Sequence, residues 1–146
     1  VGFLEAAGYR RYEVSNFALP GHECRHNLAY WQGEDYLGVG SAAVSTYGGA
    51  RWTNPAGVEA YLAGEPSMVE HLSAVTRMGE RAMLGLRTAD GVDESAVAQV
   101  LDQGALARLL ALGCLERCCG KLRVNPGFMD VNSSVLAALL VTPYGD

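Results

Sequence analysis

Between Cys24 and Trp31 the chain reads CRHNLAYW, a short stretch holding a thiol, an imidazole and two large aromatic rings. If that stretch is helical, His26 and Tyr30 stand one turn apart on a shared face. A neutral imidazole beside flat aromatic surface suits ligation of haem iron with a ring stacked on the macrocycle. The same residues have a plainer reading, in which His26 and Asn27 bond to backbone while Tyr30 and Trp31 fill a core. Residue chemistry leaves both open. A second candidate is Gly38-x-Gly40 followed by small residues, which suits close approach of backbone to a nucleotide-like ligand. It is not a G-x-G-x-x-G fingerprint, because position 43 is Ala. The third is the cluster Cys114, Cys118 and Cys119. Zinc sites pair C-x₂₋₄-C with a second ligand pair further on, and no Cys/His pair follows here. Adjacent cysteines in a strand point to opposite sides, so the cluster reads as small hydrophobes in a hairpin.

The elements that must position these residues can be read in outline. A helix end closes at Gly8, and a strand is expected over Tyr9–Val14. Pro20-Gly21 marks a turn, and a helical turn is expected over Glu23–Trp31. Tyr36–Ser45 reads as a strand running into a close-approach loop, and Ala50–Thr53 as a second short strand. Asn54 as cap and Pro55 at the first position start a helix to Leu62. Past Glu65-Pro66 the texture changes. Ser73 caps a helix to about Arg87, Asp93 caps a short helix to Leu101, and Gln103–Leu112 is a third. Leu115–Arg117 and Lys121–Val124 form a hairpin. Asn125 and Pro126 open a closing helix carrying Phe128, Val131, Val135, Leu136, Leu139 and Leu140. Met83, Leu86, Leu109, Leu136 and Leu139 are the expected core. The fold class is α/β, with a domain break near residue 66 and a winged-helix-like plan beyond it.

Composition narrows the function. The chain has 146 residues, 49% hydrophobic and 18% charged, enough apolar content for a buried core. Its formal net charge of −5 argues against a sequence-independent grip on nucleic acid, which requires cations to displace counterions. The helix before the hairpin, QGALARLLAL, has Arg108 as its one cation, although the hairpin adds Arg117, Lys121 and Arg123. No apolar run approaches the length of a membrane-spanning helix. Four cysteines are too few for a secreted disulfide framework, so a reducing cytoplasm is expected. A start without Met, within what reads as a helix, suggests a piece of a longer chain.

Several strings together carry a resemblance. They are Tyr12-Glu13-Val14-Ser15-Asn16-Phe17-Ala18, Cys24-Arg25-His26-Asn27-Leu28-Ala29-Tyr30-Trp31, Asp35-Tyr36-Leu37-Gly38-Val39-Gly40 and Arg51-Trp52-Thr53-Asn54. Met83-Leu84-Gly85-Leu86-Arg87, Leu112-Gly113-Cys114-Leu115-Glu116 and Gly120-Lys121-Leu122-Arg123-Val124 follow in order. The chain resembles the C-terminal portion of radical S-adenosylmethionine proteins of the oxygen-independent coproporphyrinogen III oxidase family, most of all the HemW-type haem chaperones. The resemblance implies that residues 1–66 are the C-terminal part of a partial TIM-like radical S-adenosylmethionine barrel. It implies that residues 67–146 are the family's winged-helix-like C-terminal domain. The full-length protein would hold a [4Fe-4S] cluster and S-adenosylmethionine. The family's C-x₃-C-x₂-C cluster motif is absent from this chain, so no catalytic residue and no cluster ligand is expected here, and the piece alone should be inactive.

By resemblance, Gly40 and Val44 are candidate contacts for S-adenosylmethionine, and His26, Tyr30 and Trp31 for haem, with His26 as iron ligand. Many chaperone-like members carry His where this chain has Val44. Three functions follow: part of a haem chaperone that passes haem to an acceptor protein, part of a coproporphyrinogen dehydrogenase that decarboxylates propionates, or a regulatory winged-helix module. Expected partners are haem or a porphyrin, a haem-acceptor protein and the N-terminal barrel of the same protein, with no nucleic acid. Tyr9–Val14 is expected to be an open edge next to that barrel.

Overall fold

The computed structural model describes residues 2–65 and 67–141. They form two compact units, one of residues 34–77 and one that joins the residues before 34 to those from 78 onward.

The chain opens with a short helix α1 (Gly2–Ala6), then β1 (Arg10–Arg11) and β2 (Phe17–Ala18), paired antiparallel with Arg10 opposite Ala18. The expected strand over Tyr9–Val14 is therefore shorter, and beyond β1 its backbone turns to other partners. The Val14 amide donates to the Arg87 carbonyl at 2.8 Å, and the Ala89 amide donates to the Tyr12 carbonyl at 3.0 Å. Glu13 pairs with Thr88 in an antiparallel bridge. Backbone groups left over at the end of a later helix thus find partners in this segment. Arg11 adds an ion pair to Asp130 at 2.7 Å. Helix α2 (Arg25–Trp31) follows and stops where Gly33 turns left-handed.

Residues 34–77 are built on a three-stranded antiparallel sheet. Its strands β3 (Val44–Tyr47), β4 (Ala50–Thr53) and β5 (Met68–His71) lie in that order. Gly48 and Gly49 close the β3–β4 turn. The expected strand over Tyr36–Ser45 is not formed. Before Val44 only Tyr36 pairs, with Thr46, and the positive φ of Gly40 and Ala42 breaks the extended path. The helix expected from Pro55 starts later, as α3 (Val58–Leu62), with Gly57 rather than Asn54 at its cap. Strand β5, exposed along its length, was not expected. Helix α4 (Ala74–Gly85) begins where Ser73 Oγ accepts the Thr76 amide at 3.0 Å, the expected cap.

The remaining residues make the principal core. β6 (Val92–Asp93) leads into α5 (Glu94–Val97), capped by Asp93, and α6 (Gln103–Ala111) is capped by Asp102. The hairpin β7 (Leu115–Cys118) and β8 (Lys121–Val124) takes β6 on its β8 side, giving the order β6-β8-β7. The closing helix is two elements, a 3₁₀ stretch over Pro126–Val131 and then α7 (Asn132–Leu139). They part where buried Asn132 turns its amide to the Leu86 carbonyl at 2.8 Å, tying α7 to the end of α4. Leu86, Leu136 and Leu139 are buried with Leu106, Leu115, Leu122 and Val124 as expected. Leu109 packs on this cluster half-buried. Met83 is 36% exposed, because it lies off the α4 face that buries Ala82 and Leu86.

Candidate functional site

Helix α2 sets the first group of candidate residues. Cys24 precedes it in an extended conformation, the Leu28 amide closes the first turn on the Cys24 carbonyl at 3.0 Å, and Gln32 and Gly33 end it. Within this single short helix the four-residue spacing brings His26 and Tyr30 together. Their ring centroids are 4.9 Å apart at an interplanar angle of 84°, an edge-to-face pair. Both side chains are exposed. Trp31 lies a further 100° round the helix and is half-buried, so it does not share their face. An exposed imidazole held at a set angle by a ring is a fit partner for the iron of a planar macrocycle, with Tyr30 as the adjoining aromatic edge.

The second group lies around Gly38–Gly40. Ser45, buried, accepts the Gly38 amide at 2.9 Å. Tyr61 Oη accepts the Gly40 amide at 3.2 Å. Asn54 Nδ2 donates to the Gly40 carbonyl at 2.9 Å and to the Gly38 carbonyl at 3.4 Å, while its Oδ1 accepts from Ser67 at 3.3 Å. A Cβ on Gly38 would run into the Val44 carbonyl, so this position admits glycine alone. The space over the Gly40 Cα is open. With its amide and carbonyl already bonded, Gly40 offers a ligand an apolar face of backbone, which fits contact with a flat base. Val44 is half-buried at the start of β3. Ser45, Asn54 and Tyr61 are the positioning residues that sequence reasoning missed; the Asn54-Pro55 pair reads as a helix start and hides the amide's bonds to the Gly38 and Gly40 carbonyls.

The cysteines do not form a cluster cradle. Among the described residues, no three His, Cys, Asp or Glu side chains come together, so nothing in them fits a [4Fe-4S] cluster. The expectation that Cys118 and Cys119 point apart is corrected: their sulfurs are 3.7 Å apart. They leave the strand alternation because Cys119 sits in the turn, with φ +53°. The hairpin's cations are all paired. Arg117 donates twice to Glu94 at 2.7 Å, Arg123 donates to Glu116 at 2.7 Å, and Lys121 pairs with Asp90. Glu94's carboxyl is held below the usual range by that hydrogen bond from Arg117, and Arg117 is raised in turn. A carboxylate that sequence reasoning also missed is Glu13, fully buried, with one oxygen accepting the Ser15 amide at 3.1 Å.

No family model matches the chain. Among curated proteins it is 43% identical over 93 residues to the haem chaperone HemW of Lactococcus lactis, covering 61% of this chain and 24% of that protein. It is 36% identical over 116 residues to the haem chaperone HemW of a Synechocystis species, covering 74% and 28%. With the haem chaperone HemW of Bacillus subtilis the identity is 37% over 102 residues, covering 66% and 27%. The chain thus spans about a quarter of the length of these relatives. Among solved structures it is similar to coproporphyrinogen III oxidase (HemN) of Escherichia coli, described as a radical SAM enzyme. The TM-score is 0.68 at 18% identity, covering 94% of this chain and 38% of that one. That likeness defines the class, a mixed α/β chain with the HemN fold. The sequence relatives carry the assignment further: the chain belongs to the HemW/HemN family and is similar to its C-terminal portion.

Proposed function

We propose that this chain is part of a haem chaperone, which binds haem and hands it to an acceptor protein in the cytoplasm. His26 is the iron ligand, Tyr30 stands against the imidazole edge, and Trp31 supports the helix from its half-buried side. The observation that carries this reading is the exposed His26–Tyr30 pair at 4.9 Å, in a chain whose curated relatives are haem chaperones. In the full-length protein, Gly40 and Val44 border S-adenosylmethionine, with Asn54, Ser45 and Tyr61 holding that loop in shape. The [4Fe-4S] cluster belongs to residues outside this chain, so the isolated piece is inactive as a radical enzyme. On this reading residues 1–66 belong with the barrel and residues 67–146 with a winged-helix-like domain.

The second reading, a coproporphyrinogen dehydrogenase, has the fold likeness to HemN in its favour. The regulatory, nucleic-acid-binding reading loses its best support, since Arg117, Lys121 and Arg123 are each neutralised by a carboxylate. Haem titration into the full-length protein and its His26→Ala variant, at equal cluster content, tests the proposal. The expected result is a shifted Soret band and weakened binding in the variant, because the band reports the axial ligand. An unchanged band and affinity would leave His26 a surface residue. Turnover of coproporphyrinogen by the same preparation would favour the second reading.

A further inference from the structure

The tip of the β7–β8 hairpin carries two adjacent, exposed cysteines. Cys119 at φ +53° and Gly120 at φ +80° are the left-handed pair that a two-residue hairpin turn demands. Because the backbone reverses there, the Cys118 and Cys119 sulfurs face one another at 3.7 Å. Two metal–sulfur bonds of about 2.3 Å, meeting at an angle between tetrahedral and trigonal, span roughly 3.7–4.0 Å. The turn therefore holds both sulfurs near the bite of a chelate before any ion arrives.

We propose that Cys118 and Cys119 form a two-thiolate site for a soft, low-coordinate metal ion of the Cu(I) class. Thiolate sulfur selects such ions over harder ones. Structural zinc requires four protein ligands, and among the described residues no third His, Cys, Asp or Glu joins the pair. The remaining coordination position falls to solvent or a small thiol. Binding forms two metal–sulfur bonds and breaks two S–H bonds; both protons pass to solvent, and no electron moves. Cys114, half-buried against the core, and Cys24, before α2, are outside the pair.

The test is anaerobic titration of the reduced chain with Cu(I), read by thiolate-to-copper absorbance in the near ultraviolet and by competition with a chromophoric Cu(I) chelator. One Cu(I) per chain is expected. Cys118→Ser and Cys119→Ser should each weaken binding by about 10²–10⁴-fold, the loss that follows when two linked contacts become one. Cys24→Ser should leave affinity unchanged. The two tip sites are exposed, and matched circular dichroism and melting of the variants will separate loss of the site from loss of the fold. Wild-type affinity in either tip variant, loss of binding in Cys24→Ser, or tighter binding of Zn(II) than of Cu(I) would overturn the proposal.

Discussion

The side-chain amide of Asn54 donates to the Gly40 carbonyl at 2.9 Å, linking the end of β4 to the glycine segment that precedes β3. The same amide reaches the Gly38 carbonyl, so one residue satisfies two loop carbonyls. Asn54→Ala would leave both carbonyls without that donor in a half-buried place, where an unmet polar group costs about 1–3 kcal/mol. Chemical denaturation should show a loss in that range, with faster amide exchange at Gly40. Asn54→Asp, which presents acceptors to acceptors, should be no better. Wild-type stability in both variants would show that this clamp holds nothing.

Gly38 and Gly79 should respond in opposite directions to alanine. A Cβ at Gly38 meets the Val44 carbonyl and lies 3.1 Å from the Ala43 Cβ, both parts of a fixed backbone turn. Overpacking of this kind costs about 1–3 kcal/mol. Gly79 is inside α4 with nothing within 4 Å of an added Cβ. There, alanine should stabilise by up to about 1 kcal/mol through helix propensity. Thermal melts of the two variants provide the comparison, and a stabilised Gly38→Ala would show that the turn can shift.

The core makes a similar contrast at the end of one helix. Leu86, just past the end of α4, is fully buried, and Met83, three residues earlier in the last turn, is 36% exposed. Leu86→Ala should cost about 2–5 kcal/mol, as deletion of a buried leucine does, while Met83→Ala should fall below about 1 kcal/mol. Leu109, half-buried on the same cluster, should lie between them. Urea midpoints at unchanged slope would measure all three. Equal losses at Met83 and Leu86 would mean that both faces of α4 are covered.

Helices with local caps were legible: Ser73 and Asp93 start the helices expected of them, while the cap of the third, Asp102, emerges only in the structure. The hairpin at Cys119-Gly120 was legible for the same reason, since its turn chemistry is local. What escaped was set by long-range partners. Asn54 has the residue type of a cap, yet its amide is claimed by carbonyls far back in sequence. The strand pattern of Tyr36–Ser45 fails because its glycines serve the loop rather than a pleat. Val14 bonds to Arg87, a pairing that no periodicity announces. At the candidate site, the i,i+4 placement of His26 and Tyr30 could be read from spacing, whereas Ser45 and Tyr61 become visible only once the chain has folded back on Gly38 and Gly40.

Glu94 and Arg117 give the hairpin a pH signature. Their bidentate contact, two bonds of 2.7 Å, lowers the carboxyl below the ordinary glutamate range and leaves Arg117 charged throughout. A carboxyl whose folded value is depressed binds its proton more readily in the unfolded chain. Its stabilising contribution is therefore fully present above the unfolded value of about 4.3, and it is lost as pH falls through the lower folded value. Asp93, lowered by its bonds from Ser95, acts in the same direction next door. Wild type and Glu94→Gln should then differ most in melting temperature at neutral pH and converge as pH falls below about 4. Salt should narrow the gap at neutral pH, since the pair is partly exposed. A gap that stays constant from neutral pH to pH values well below the glutamate range would show that Glu94 acts through packing and not through its charge.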